Sequence, residues 1–254
     1  MAEFDRYGTA RVSTGTARAE AGLIDQGLRA YMLSVYNYMA IGLAITGLFA
    51  VGAFKLAVTQ DASGAMALTE IGQTLYQSPL RWVVMLAPLG MVFYLSARLN
   101  SMSASGAQMA FWVFAALMGI SLSTIFLVFT GASVARVFFI TAASFGALSL
   151  YGYTTKRDLG PMGAFLIMGL IGLIIAMLVN IFLQSSAMQF VISAAGVLIF
   201  AGLTAYDTQR IKEMYSVNDD GTVMGRKAIM GALTLYLDFI NLFTMLLQLF
   251  GDRR

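Results

Sequence analysis

Cysteine and histidine are both absent from this chain of 254 residues. Their absence excludes disulfides, thiol nucleophiles, Ser-His-Asp triads and the usual zinc sites. Charge is scarce as well: 11% of the residues are Asp, Glu, Lys or Arg, where ordinary soluble domains carry about 25%. A net charge of +3 is too small to argue for a nucleic-acid partner. Any chemistry therefore rests on Asp, Glu, Lys, Arg, Tyr or hydroxyl side chains, and no tightly bound cofactor is expected.

Apolar surface is in excess. The chain is 59% hydrophobic with a mean hydropathy of +0.76. A soluble fold of this length cannot hide so much apolar surface, whereas a lipid-embedded one has no need to. Crossing about 30 Å of hydrocarbon takes roughly 20 apolar residues. Such runs lie at 33–54, 80–98, 107–130, 133–153, 161–183, 188–209 and 227–250. The short alternating segments of a β-barrel do not occur. The expected fold is an all-α integral membrane protein, a single seven-helix bundle over 33–254, preceded by a polar segment 1–32 expected to be mobile. That segment does not read as a signal peptide, because the first span starts too late, and its acids argue against a transit peptide.

Orientation follows from the basic residues. Arg6, Arg11, Arg18, Arg29, Arg98, Lys156, Arg157, Arg210, Lys212, Arg226 and Lys227 fall on one side; Lys55, Arg81, Arg136, Arg253 and Arg254 fall on the other. This imbalance places the N-terminus in the cytoplasm and the C-terminus outside.

Within the last span, "LTLYLDFINLFTMLL" (233–247) carries Asp238 in an otherwise apolar run. A carboxylate at mid-membrane costs roughly 3 kcal/mol on translocon scales, and a functional role is its default reading. Asp238 lies 11 residues beyond Lys227, about 16 Å deep and near the bilayer centre. Thr234, Asp238, Asn241, Met245 and Gln248 recur at helical spacing as one polar-leaning stripe. The sixth span brings a second acid, Asp207, on a face with Thr204, Thr208 and Ile211. Counted from Lys212, Asp207 is only about 8 Å deep, so the two acids differ in depth by roughly 8 Å and their pairing stays open. Asn37, Asn180 and Gln189 read as interhelical hydrogen-bond partners.

"GLTAYDTQ" at the end of the sixth span, "LYLDFINLF" in the seventh and "SLYGYTTKRDL" at 149–159 resemble the signature of the Bax inhibitor-1/YccA family, its bacterial branch above all. The resemblance implies a pH-sensitive calcium leak in a bacterial plasma membrane, with Ca²⁺ as the permeant ion. It also implies a carboxyl pair, here Asp207 and Asp238, that binds Ca²⁺ transiently, and a basic gating residue of the second span, for which Arg98 is the candidate. Eukaryotic relatives restrain cell death, and one bacterial relative modulates an ATP-dependent membrane protease. Two carboxylates within hydrogen-bond reach in a low dielectric cannot both ionise cheaply, so they share a proton that ties their helices together. When it leaves, repulsion parts them and leaves oxygen ligands suited to Ca²⁺.

Two other classes compete. A regulator would only bind another membrane protein, such as an ATP-dependent membrane protease. An intramembrane aspartyl protease also places acids on two consecutive helices, the first in a Tyr-Asp pair such as Tyr206-Asp207. Its second acid follows Gly-x-Gly, whereas Asp238 follows "LYL", so a non-enzymatic role is expected. The orientation is directly testable: a reporter fused after Arg254 is expected outside the cytoplasm, and one inserted in 154–160 inside. A cytoplasmic C-terminus would mean that one span is re-entrant or absent.

Overall fold

The computed structural model describes residues 5–60 and 65–254, with side chains described from Gln26 onward except at Asn100. Helix α1 (Asp5–Ala57) leads into a hairpin of β1 (Val58–Gln60) and β2 (Met66–Leu68), paired antiparallel with Thr59 opposite Ala67. There follow α2 (Glu70–Tyr76), α3 (Leu80–Arg98), α4 (Ala104–Leu122), the single turn α5 (Ile125–Val128), α6 (Gly131–Thr154), α7 (Gly160–Leu183), α8 (Ser186–Glu213) and α9 (Gly221–Phe250). Among the described residues seven helices are long and apolar enough to cross a membrane, the first from Gln26 to Ala57 and the third combining α4 with α5. Order and number match the seven expected spans.

The boundaries move where hydropathy stops short of the hydrogen-bonded helix. α8 runs on to Glu213 and α9 begins at Gly221. Polar residues such as Arg210 and Arg226 end an apolar run without ending a helix. What starts α9 is its cap: the Asp220 carboxylate accepts from Val223 N at 2.7 Å, satisfying one of the unpaired amides of the first turn. Ser103, Thr130 and Ser185 cap α4, α6 and α8 in the same way. Residues 26–32, which precede the first apolar run, continue its helix, and Tyr31 and Met32 are buried in the core. For residues 1–25 the expected mobility lies outside the described side chains.

α9 is the central helix. In its most apolar 18-residue window 72% of residues are buried, against 11–33% for the other spans. α8, α1, α6 and α4 surround it, while α3 packs on α4 and α7 on α8 at the periphery. The peripheral helices expose Trp82, Phe93, Phe165 and Phe182, as a lipid-facing surface requires. Small residues set the closest approaches, because backbones can approach only where no side chain intervenes. Gly152 of α6 lies on the backbone of Ala205 in α8, so that an added Cβ would overlap its carbonyl oxygen. Beside it, Ser149 Oγ bonds Thr208 Oγ1 at 2.9 Å, in the same register.

On the C-terminal side the chain end is strapped to the start of α6. Thr130 N donates to Asp252 O at 3.0 Å, Asp252 N donates to Ser133 Oγ at 2.8 Å, and Arg136 pairs with the Asp252 carboxylate. Gly152→Leu forces α6 from α8 and is expected to lower the thermal midpoint in detergent, at a cost of about 1–3 kcal/mol or more. Gly172→Leu, where an added Cβ meets nothing within 4 Å, is expected to leave the midpoint unchanged. Equal midpoints for the two variants would contradict the packing described.

Candidate functional site

The segment "AYDTQRIK" (205–212) of α8 points successive side chains at different neighbours, as steps of about 100° around a helix dictate. The Tyr206 ring packs over Gly163 of α7. Asp207 faces α9. Thr208 bonds Ser149 of α6. Gln209 staples the α6–α7 connection, accepting from Leu159 N at 2.9 Å and donating to Arg157 O at 2.8 Å. Lys212 Nζ donates to Tyr153 O at 2.9 Å and sits 5.3 Å from the Tyr153 ring centre. About two turns of helix thus join α6, α7 and α9 to α8.

Asp207 and Asp238 meet: their carboxyl groups lie close enough to act on each other directly. Asp238 is 6% exposed, and its Oδ2 is buried without a hydrogen-bond partner among the described residues. Because two ionised carboxylates have no donor to offer each other, a bond between them requires one proton. Burial in the central helix makes an unpaired charge at Asp238 costly.

The depth count taken from the basic loop had left an offset of roughly 8 Å between the acids. It assumed that both helices start at one level, and they do not. Gly231 of α9 faces Ile211 of α8, an added Cβ falling 2.8 Å from Ile211 Cγ2, and Gly196 faces Met245 in the same register four turns on. In that register Asp238 is displaced from Asp207 by about three residues, near 4.5 Å along the axis. Side chains tilt toward the N-terminus of their own helix. On antiparallel helices the two tilts oppose each other, and here they bring the carboxyls together.

Other expected residues separate into groups. Thr204 and Thr208 are fully buried, each donating to the carbonyl four residues back at 2.7 Å, to Phe200 O and Thr204 O. Since Thr208 has spent its proton, Ser149 must donate to it, and Tyr36 OH must donate to Ser149 at 2.7 Å. A directed chain of hydroxyls therefore runs from α1 through α6 to the residue next to Asp207. Thr234 is half-buried and bonded to Met230 O at 3.1 Å, and Asn241 is half-buried on the same face of α9. Arg98 stands exposed at the end of α3, a helix packed chiefly on α4. The cation within Coulombic reach of Asp207 is Arg210. Asn180 bonds Gln189, and Gln189 bonds Gln248, each at 3.2 Å, linking α7, α8 and α9 as expected. Asn37, expected to act similarly, is exposed on α1 and makes no side-chain hydrogen bond among the described residues.

Sequence reading passed over Gln209 and Tyr236. Tyr236 is buried among Phe111 and Phe114, and its hydroxyl donates to Thr46 Oγ1 at 2.6 Å, because Thr46 gives its own proton to Ala115 O. Both belong to segments singled out for their acids, and a polar group flanking an acid was the available signal. Among the described residues no group of three or more Asp, Glu, His or Cys forms a metal cluster. Two carboxylates offer at most four of the six to eight oxygens that Ca²⁺ takes, which suits transit better than storage.

The sequence profile described as "Inhibitor of apoptosis-promoting Bax1" matches residues 28–254. An uncharacterised protein of Rickettsia prowazekii, RP147, is 46% identical over 241 residues, covering 95% of this chain and 97% of its own. The inner membrane protein YbhL of Escherichia coli K12 is 45% identical over 230 residues, covering 90% and 94%. A Caulobacter vibrioides protein is 43% identical over 255 residues, with both chains fully covered. The register that pairs the acids can be trapped. Ile211→Cys with Gly231→Cys, in a chain that has no other thiol, places two Cβ atoms within disulfide reach and is expected to cross-link under mild oxidant. Thr204→Cys with Gly231→Cys, two turns out of register, is not. The reverse result would refute the register.

Proposed function

This chain belongs to the Bax inhibitor-1 family, and from that premise we propose that it is a pH-gated calcium leak of the bacterial inner membrane. The location is that of its relative YbhL, an inner membrane protein, and of a chain with seven helices able to span a bilayer. One observation carries the reading: the Asp207 and Asp238 carboxyls lie against each other inside the bundle, on the last two helices, α8 and α9.

With one proton between them the carboxyls tie α8 to α9. Loss of that proton leaves two negative charges in contact, a repulsion of about 4 kcal/mol at about 4 Å and an effective dielectric of about 20. That is enough to change a two-state ratio by roughly a thousandfold. α8 and α9 then separate at this level, and the paired carboxylates become a hard-oxygen site for a divalent cation in passage. Arg210, within Coulombic reach of Asp207, moderates the charge without neutralising it.

Proteolysis fits poorly. Where an aspartyl protease needs glycines to admit a substrate strand, this chain has Leu235 and Tyr236, both fully buried, the latter locked to Thr46. A purely regulatory role, through contact with another membrane protein, needs no titrating pair and leaves Asp238 without a reason to be buried.

Calcium flux into liposomes holding the purified chain, followed between about pH 5 and 8, tests the proposal. Flux is expected to rise with pH through the titration of the pair, because proton loss releases the tie. Asp207→Asn and Asp238→Asn are each expected to flatten that profile while the protein still folds, since an amide hydrogen-bonds the remaining acid but gains no charge. Asp158→Asn, in the exposed α6–α7 connection, should keep the profile. A pH profile that survives in both pair variants would remove the acids from the mechanism and favour the regulatory reading.

A further inference from the structure

α1 and α6 both pack on α9 yet leave a cleft of about 670 Å³ between them. Its floor is Phe239 of α9 with Phe138 and Phe145 of α6, and its walls include Met39, Leu43 and Ala142. The rims at Leu33, Ala40, Gly146 and Leu150 are exposed, so the cleft opens sideways between two membrane spans. In that position it faces acyl chains, and an apolar hollow there is filled by one.

Two features make this cleft more than a rough patch of lipid-facing surface. Its polarity is graded. Tyr36 and Ser149 line it, but their hydroxyls are spent on each other and on Thr208, so they offer a tail no unpaired group. Only at one end does charge enter, through Arg29, which is exposed and makes no hydrogen bond or ion pair among the described residues. Tyr153 forms the facing rim, with the Lys212 ammonium against its carbonyl and ring. The length also fits. From Arg29 to Leu43 is about 21 Å of helix, enough for a chain that crosses one leaflet's roughly 15 Å of hydrocarbon together with its glycerol and phosphate.

We propose that the α1–α6 cleft binds one anionic phospholipid, its phosphate on Arg29 and one acyl chain along Phe239. A planar guanidinium on an exposed helix turn is suited to bidentate phosphate binding. The site is independent of ion passage, although its polar wall is the hydroxyl chain that ends beside Asp207.

Native mass spectrometry of delipidated protein, titrated with phosphatidylglycerol or with phosphatidylcholine of the same chains, tests this. A single phosphatidylglycerol adduct is expected, favoured about fivefold, the effect of one interfacial arginine. Arg29→Gln should bring the two lipids near parity. Gly146→Phe should abolish both adducts by filling the cleft; an added Cβ there meets nothing within 4 Å, so the fold tolerates it. Ala40→Phe repeats the block from the opposite wall should the first variant fail to fold. Equal retention of the two lipids by the unaltered chain, adducts that persist with the cleft filled, or a lipid-free dimer in their place would each overturn the proposal.

Discussion

A carboxylate buried in a central membrane helix must find a partner within the protein, and everything around Asp238 follows from that requirement. Asp238 is buried and forms no ion pair among the described residues. Its partner is a second acid, an arrangement that holds only while one proton remains. The helices must therefore approach closely enough, and in one register, for two short side chains to touch. Gly231 and Gly196 provide the approach on one face of the α8–α9 contact, and opposed side-chain tilts cover the remaining offset.

The surrounding polar groups are arranged so that none competes for that proton. Thr204 and Thr208 give theirs to the backbone, Ser149 and Tyr36 pass theirs along one direction, and Tyr236 is held by Thr46. Gln209 and Lys212 fix the α6–α7 connection to the end of α8, so that movement of α8 is transmitted to α6 and α7. Lys227 fixes the α8–α9 connection from the α9 side, bonded to Met214 O at 2.9 Å and paired with Asp219 at 2.6 Å. Both fastenings lie at one end of the bundle, while Asn180, Gln189 and Gln248 link α7, α8 and α9 at the other. A break at the acid pair is thus confined between two fastened ends, which favours a local parting of helices over a general loosening.

The membrane-spanning plan was legible because hydropathy reports lipid exposure directly, and the isolated acid in "LYLDF" was legible because its cost has no structural return unless it is paired. The pairing was legible through the family resemblance alone and not from the helices themselves. Depth counted from Lys212 and Lys227 measures where polar loops begin, whereas contact depends on the register of two helices, set by Gly231 against Ile211. Asn37 fails for a related reason: helical spacing tells which residues share a face, not whether that face meets protein or lipid. The weight given to Arg98 rested on a likeness without a motif, and the nearer cation, Arg210, lies on the same helix as the acid it faces.

The central claim is that Asp207 and Asp238 hold one proton in common. Infrared difference spectroscopy of the protein in lipid, titrated with alkali, reads protonated carboxyl groups directly. One protonated-carboxyl band lost in a single step, and altered or abolished by either Asp207→Asn or Asp238→Asn, is the predicted result. Two bands that titrate separately, each removed by only one of the substitutions, would contradict it.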